Sequence, residues 1–408
     1  VNARVAITGM GVKTPAGTAV EESFATVLNG KSVVRRVDAL SDADVTVPIA
    51  GIVAEFDTES YFSRRERIGL DRTAQLGLAA AIDAARDSGL EFAQFDDRCG
   101  VCVGVGGVGT SGTAENVTTA RIETGRRLGP FTVPMLMPSA TAARIGLSLG
   151  ITGPSITYAT ACASGATAIG EALRAIKSGT LDVVVAGGTE SGITPLVMEG
   201  FAQVGALSRR VSDPGAASRP FDEDRDGFVM GEGAAFLVLE RWECAVARGA
   251  RIYAELAGYG SNSDAHHIVA PDPSGDRAAR CMAAALAQAR VDPGQVGHVN
   301  AHGTATIRND AAEAVALARC FGRQIPPVTA TKGVTGHMIG GSGAFEAVVT
   351  ALSVQRGLVP PVANHHHWPD PVPLDVVAEE PRVIGRAPAI SNSFGFGGHN
   401  ATLAFLPT

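Results

Sequence analysis

Cys162 stands in the run YATACASGATAIG, where an apolar stretch gives way to small residues and then to a helical pattern. A thiol at the N-terminal end of a helix feels the positive end of the helix dipole, which favours the nucleophilic thiolate. Ala161, Ala163, Ser164 and Gly165 leave room for a substrate to reach the sulfur. Strand, nucleophile and helix in that order form an elbow that recurs among nucleophilic enzymes. The alternative is a buried structural cysteine. The second half of the chain holds partners for a reactive thiol. His302 ends an apolar run in VNAHGTATIRND, a place where α/β folds keep functional side chains. His337 lies between glycines in TKGVTGHMIGGSGAFE, with Lys332 five positions earlier; alone, that lysine reads as solvated surface. One cysteine and two histidines on strand-end loops point to acyl transfer through a thioester. In SNSFGFGGHNA, Ser391–Ala401, three glycines bend the chain around two phenylalanines. Backbone N–H groups there could hold an oxyanion; the alternative is a β-hairpin turn plugged by aromatic rings.

These residues need elements to position them. The patterning predicts strands over Arg4–Thr8, Cys99–Val105, Ser155–Ala161 and Leu181–Ala186, the last three buried. It predicts a long Ala-rich helix over Leu70–Ser88, ended by Gly89, and a helix over Ala163–Ser178, stopped by Gly179. In the latter, Ala166, Ile169, Leu173 and Ile176 fall on one face. The second half alternates in the same way. Strands are predicted at Ile252–Tyr259, Val296–Ala301, Pro327–Ala330, Ala389–Ser393 and Ala401–Phe405, with helices at Asp276–Arg290, Asp310–Cys320 and Gly343–Gln355. Such alternation means α/β layers. RVAITGMG near the start and RIYAELAGYG at Arg251 are weakly alike, which suggests two similar halves, 1–250 and 251–408.

Composition narrows the classes. The 408 residues are 45% hydrophobic and 18% charged, which excludes a disordered chain. A net charge of −7 argues against a general nucleic-acid binder. No apolar run approaches the roughly 20 residues of a membrane span. No signal peptide is visible, and the six scattered cysteines, five of them in apolar stretches, read as reduced and mostly buried; both point to a cytoplasmic protein. Three motifs carry no function. CGVC at Cys99–Cys102 lies in a strand, where the two thiols do not meet. Adjacent histidines in HHHW, His365–Trp368, point to opposite sides of an extended chain, so no metal site is expected. GVGGVG at Gly104–Gly109 lacks the acidic residue of a dinucleotide site.

Taken together, the motifs resemble the β-ketoacyl-ACP synthases, condensing enzymes of the thiolase superfamily. The resemblance runs from Val5 to Phe405, through TACASG around Cys162, AGGTES at Ala186–Ser191 and ASRPFDEDRDGFVMGEGA at Ala217–Ala234. It continues through NAHGTAT, KGVTGHMIGGSGA and NSFGFGGHNA. It implies a thiolase fold, two α/β halves in five α-β-α-β-α layers, with the site where the halves meet. It implies that Cys162 carries an acyl group, while His302 and His337 donate hydrogen bonds to a malonyl thioester as it loses carbon dioxide. The N–H groups of Cys162 and Phe396 would form the oxyanion hole. Lys332 would organise the site, with Glu346 paired nearby and Asp310 and Glu313 as supporting acids. Thr304 and Thr306 would grip a phosphopantetheine arm, and Phe394 and Phe396 would form a mobile gate. No cofactor is implied; the substrates ride on an acyl carrier protein. A dimer is implied, of identical chains or with a related chain-length factor.

Basic clusters at Arg64, Arg65 and Arg67, at Arg126 and Arg127, and at Arg209 and Arg210 read as solvated faces or as a patch for an acidic carrier. The resemblance favours docking for the first two. There are departures. Ile307-Arg308-Asn309 replaces a proline-containing turn usual in fatty-acid enzymes, and Asn309-Asp310 with LDRTAQLGLAAA looks more like the ketosynthase chains of type II polyketide synthases. Gly107 falls where fatty-acid relatives carry a larger pocket residue, which predicts a deeper acyl pocket, with Phe201 as another depth-setting residue. Val269 stands where a pantetheine-contacting threonine is common, and His399 replaces a threonine. The expected activity is condensation in a polyketide or specialised fatty-acyl pathway. The runner-up is the housekeeping elongation enzyme, β-ketoacyl-ACP synthase II. A non-catalytic chain-length factor is disfavoured, since Cys162, His302 and His337 are all present.

Overall fold

The computed structural model describes residues 3–408 except 55, 126 and 370. Ten strands form one sheet: β1 (Val5–Lys13), β2 (Cys99–Gly104), β3 (Ser155–Tyr158), β4 (Val183–Glu190), β5 (Gly233–Arg241), β6 (Glu255–Ser263), β7 (His298–Asn300), β8 (Val328–Thr329), β9 (Ala389–Gly395) and β10 (His399–Leu406). Their spatial order is β8-β7-β9-β10-β6-β1-β5-β4-β2-β3. Cut between β6 and β1, each half reads third-second-fourth-fifth-first from its outer edge. The pairings match as well. In both halves the three outer strands run parallel, and the last two pairings are antiparallel. The half-sheets meet at Ala6 opposite Glu255, where the Ile7 N–H donates to the Ala254 carbonyl and the Tyr253 N–H to the Ile7 carbonyl.

Two helices lie between the halves: α3 (Ser164–Lys177) and α7 (Ser342–Arg356), packed on each other and on strands of both half-sheets. Nearly every residue of α7 is buried, which a helix covered on all sides requires. Outside the first half lies α1 (Arg72–Ser88), its Asp71 side chain capping Ala74 N–H and Gly89 ending it in the left-handed region. Outside the second half lie α5 (Asp276–Ala289) and α6 (Ile307–Phe321). The layers are therefore helix, sheet, helix, sheet, helix. The weakly repeated segments owe their likeness to this packing. A Cβ on Gly9 or Gly11 of β1 would lie 2.2 or 2.0 Å from carbonyl oxygens of α1, and one on Gly258 or Gly260 of β6 would lie 2.0 Å from those of α5. Each outer helix rests directly on a strand that has no side chain in its way.

The predicted strand Ser155–Ala161 ends at Tyr158, and its outer residues are exposed: β3 is the edge of the sheet, paired on one side only. Apolar composition marked it as interior, but the parallel partner exists only at β2. Cys99 and Cys102 do belong to one strand, and their side chains join different hydrophobic clusters on opposite faces of the sheet. All six cysteines are free; Cys244 and Cys320 are only half-buried. The glycine-rich run Gly104–Gly109 leads into a helix: α2 (Val108–Thr124) starts within it at Val108, and α4 (Pro195–Val204) packs against α2.

Candidate active site

The chain leaves β3, turns sharply and enters α3, and Cys162 sits in that turn. Ala161, immediately before it, holds a left-handed φ of 49°, a strained conformation for a residue with a Cβ. Ser164 locks the turn: its hydroxyl accepts the Thr160 N–H at 2.9 Å and reaches the Ala161 carbonyl at 2.7 Å. The end of β9 comes within touching distance, because a Cβ on Gly395 would lie 2.5 Å from the Thr160 carbonyl oxygen and 3.2 Å from Cys162 N. Cys162 keeps only 8% of its surface. The pull of the helix end toward thiolate is opposed by burial. Burial pushes the thiol up to about 12, against the pull of Lys332 and of the N–H groups of Phe396 and Cys162 itself. The resting nucleophile is a thiol, and those two N–H groups converge on it where an oxyanion would form.

His302 leaves the end of β7, and a carboxylate cradle shapes its loop. On α6, Asp310 and Glu313 are three residues apart and face the same way. Glu313 accepts the N–H groups of His302 and Gly303, both at 2.9 Å, and Asp310 accepts those of Thr304 at 3.1 Å and Phe221 at 2.8 Å. Burial holds both carboxyls above their usual range, Glu313 at about 7. These acids position the histidine loop without facing the cavity. Lys332, with 1% of its side chain exposed, places its ammonium 2.6 Å from the His302 carbonyl oxygen, 2.5 Å from Glu346 Oε1 and 3.3 Å from His302 Nδ1. An ammonium has three protons, and these are three acceptors. Nδ1 of His302 is thereby an acceptor, so Nε2 carries the hydrogen.

His337 reaches the same state by another route. Ser342 Oγ accepts the Met338 N–H at 2.9 Å and lies 3.0 Å from His337 Nδ1. The hydroxyl proton finds its acceptor at Nδ1, which again leaves the hydrogen on Nε2. That Nε2 is buried and has no partner. Burial first, then the Lys332 charge, holds both histidines well below their ordinary range, so both are neutral. Their rings stand 5.5 Å apart at 83°. The site therefore offers one thiol, two neutral N–H donors and two backbone N–H donors, all facing one cavity.

Cys162, His302 and His337 line this cavity together with Thr304, Thr306, Phe201, Phe394, Phe396 and Val269. Lys332 and Glu346 lie beneath it. The Thr304 and Thr306 hydroxyls bond each other at 2.9 Å along one wall. Phe394 packs on His302 at 5.8 Å, and Phe396 faces Phe201 at 6.2 Å. Gly107, expected to set the depth of the acyl pocket, stands apart from the Cys162 cavity. Gly107 is absent from the cavity wall, caps the start of α2 with φ +96°, and a Cβ there would meet nothing within 4 Å. Its glycine serves the backbone turn, while the neighbouring Val108 packs into the apolar cluster that includes Cys162 and Phe201. Arg64, Arg65 and Arg127 are exposed and lie away from the cavity; Arg126 lies outside the described residues.

Reasoning from the sequence missed Phe228, Ser342 and Glu190. Phe228 lies against both Phe201 and His337, at 5.4 and 5.3 Å. Glu190, wholly buried at the end of β4, accepts the N–H groups of Gly106, Gly109 and Gly340 and so ties the loop before α2 to the loop after His337. Its signal was present: an acid ending an apolar strand needs buried donors.

Known proteins bear on this geometry. The N-terminal domain family of β-ketoacyl synthases matches residues 2–245, and the C-terminal domain family matches residues 253–366. The chain is 40% identical over 407 residues to 3-oxoacyl-[acyl-carrier-protein] synthase 2 of Vibrio harveyi, covering 98% of each chain. To the enzyme of that name from Staphylococcus aureus (strain COL) it is 41% identical, covering 99% of this chain and 98% of the other. Among solved structures it is similar to a type II PKS ketosynthase in complex with its acyl-carrier protein and bound to the hexaketide (TM-score 0.91, 30% identity). It is also similar to the ishigamide ketosynthase/chain length factor (TM-score 0.92, 32% identity), and both matches cover 100% of each chain. The two family models together span most of the chain, the relatives match it over nearly its whole length, and the chain belongs to the β-ketoacyl synthase family of condensing acyltransferases.

Proposed function

We propose that the chain joins a malonyl unit to an acyl group, both delivered by an acyl carrier protein, with Cys162 as the acyl carrier of the site. The observation that supports this most is the convergence of a buried thiol with two neutral imidazole N–H groups on one cavity. In the first step Cys162 Sγ attacks the acyl thioester, its proton passes to the departing carrier thiol, and the oxyanion rests on the N–H groups of Cys162 and Phe396. In the second, a malonyl thioester occupies the cavity with its carbonyl oxygen between His302 Nε2 and His337 Nε2. The bond to the carboxylate breaks and carbon dioxide leaves. The electron pair becomes an enolate held by the two N–H donors. Its carbon attacks the acyl-Cys162 carbonyl, the new carbon–carbon bond forms, and Cys162 leaves as a thiolate that takes a proton from solvent. Burial, reinforced by the Lys332 charge, keeps both imidazoles neutral, so they donate hydrogen bonds and leave the proton count of the enolate unchanged.

Intact-mass analysis after incubation with an acyl-carrier thioester tests the reading. The expected result is one acyl adduct, on the Cys162 peptide, that converts to a β-ketoacyl product when malonyl-carrier is added. A non-catalytic partner subunit would show neither. The departures at Ile307–Asn309 and the similarity to type II polyketide ketosynthases support a polyketide or specialised fatty-acyl pathway. The 40–41% identity to named fatty-acid synthases supports the runner-up, housekeeping elongation. Substrate profiling with reduced and poly-β-keto acyl carriers separates them.

The exposed Arg64, Arg65 and Arg127 are suited to meet an acidic carrier. Charge reversal there should raise KM for carrier-bound substrate without altering that for a small pantetheine thioester. The edge strand β3, with exposed Ile156 and nearby exposed Leu147 on the sheet's rim, is suited to pairing with a second copy or a related chain, which would remove the open edge. No helix among the described residues is long and apolar enough to cross a membrane; the cytoplasm, where thiols stay reduced, fits the six free cysteines.

A further inference from the structure

Beyond Thr306 the wall of the Cys162 cavity climbs onto the first turn of α6 and reaches solvent at Ile307 and Arg308, both exposed. Three charged side chains line this mouth: Asp226, Asp264 and Arg308. Both carboxylates are engaged internally. Asp226 accepts the Ser208 hydroxyl at 2.6 Å and the Arg209 N–H at 3.0 Å. Asp264 accepts the Asn400 side-chain amide at 2.6 Å and the Asp272 N–H at 3.1 Å. The Arg308 side chain has no hydrogen bond, ion pair or ring contact among the described residues. Asp310, the acid of that first helical turn, is turned inward onto backbone N–H groups and does not reach it.

We propose that Arg308 binds the phosphate of the phosphopantetheine arm as the arm enters the cavity. This rests on the reading above, that substrates arrive as carrier thioesters. The arm's reactive sulfur must lie at the cavity floor, beside Cys162, so its charged end lies at the mouth. There an anionic group meets one unpaired guanidinium, whose fork matches two phosphate oxygens. Between mouth and floor the wall offers hydroxyls and no charge, in keeping with the uncharged amides of the middle of the arm.

The test uses two carrier-free substrates, malonyl-pantetheine and malonyl-phosphopantetheine, which differ only in the phosphate. The readout is the ratio of their KM values for decarboxylation. Wild type should favour the phosphorylated substrate about five-fold at low salt, as suits an exposed charge-assisted pair. The preference should shrink at high ionic strength. Arg308→Ala should bring the ratio to about one, and Arg308→Lys should keep part of it. KM is independent of the fraction of active protein, so partial misfolding does not enter the ratio. A wild type with no preference, or an unchanged ratio in Arg308→Ala, overturns the assignment and leaves the condensing function standing. A wild type that decarboxylates neither substrate overturns that function, and Arg308 falls with it.

Discussion

The two central helices start alike. Ser164 is the first residue of α3 and Ser342 the first of α7, and each hydroxyl accepts the backbone N–H four residues before it, from Thr160 or Met338, at 2.9 Å. In the first half this bond closes the turn that holds Cys162. In the second, the same hydroxyl also sets the tautomer of His337. The loops after the second strand of each half are likewise comparable. Buried carboxylates hold both by backbone N–H groups: Glu190 holds the loop after β2, and Asp310 with Glu313 hold the loop after β7. The first loop is Gly106 and Gly107; the second carries His302, Thr304 and Thr306. One scaffold is used twice. One half supplies a nucleophile and space, the other supplies donors.

Removing the nucleophile separates the halves most sharply. Cys162→Ala should abolish condensation while His302 and His337 still decarboxylate malonyl thioesters slowly; condensation at near wild-type rate would remove Cys162 from the mechanism. The wild-type thiol has its own signature. Since burial raises it to about 12, the thiolate fraction climbs about ten-fold per pH unit up to that value. Alkylation of Cys162 by iodoacetamide should therefore rise without a plateau through about pH 10. A plateau near pH 8 would mean the helix end and Lys332 outweigh burial.

His302→Ala and His337→Ala should each slow decarboxylation by about 10²–10³, the usual worth of one donor to a developing oxyanion. Acylation of Cys162, measured as adduct formation, should suffer less. Loss of acylation with decarboxylation intact would reverse the roles of the two halves.

The paired serines allow a finer cut. Ser342→Ala frees His337 to carry its hydrogen on Nδ1, which removes the donor from the cavity in part of the molecules; decarboxylation should fall about ten-fold, on the order of one lost hydrogen bond. Ser164→Ala loosens the nucleophile's turn and should lower acylation by a similar factor. Equal effects of both variants on both steps would show that the serines only stabilise the helix starts.

Much of this was legible beforehand. The small residues around Cys162 marked a turn that a substrate can reach, and helical spacing placed α3 to within one residue at each end. What periodicity did not show is which strand becomes an edge, because β3 is apolar enough for the interior and only the sheet order exposes it. The state of the thiol was hidden for a similar reason. The helix start is a local property, whereas the burial that opposes it comes from β9, remote along the chain and brought close at Gly395. Glu190 acts through backbone N–H groups on two distant loops, and Ser342 acts through the tautomer of a neighbouring ring. Neither leaves a mark on the residue pattern until the loops are brought together.

The smallest effect concerns Gly107, the emptiest point of the first half's loop. Reading it as a pocket-depth residue predicts that a side chain there excludes long acyl groups. The structure predicts otherwise. Gly107 has φ +96°, so any L side chain is strained, and a Cβ meets nothing within 4 Å. Gly107→Ala should therefore cost about 1–2 kcal/mol of stability through backbone conformation alone. The profile of acylation against chain length should keep its shape, since Gly107 is absent from the cavity wall, which Phe201, Phe228 and Ile339 help to build. Thermal unfolding and a series of acyl-carrier substrates measure the two quantities separately. Selective loss of long chains in Gly107→Ala, at unchanged stability, would return the residue to the pocket; Phe201→Ala, which does remove a wall, should extend the accepted length and provides the contrast.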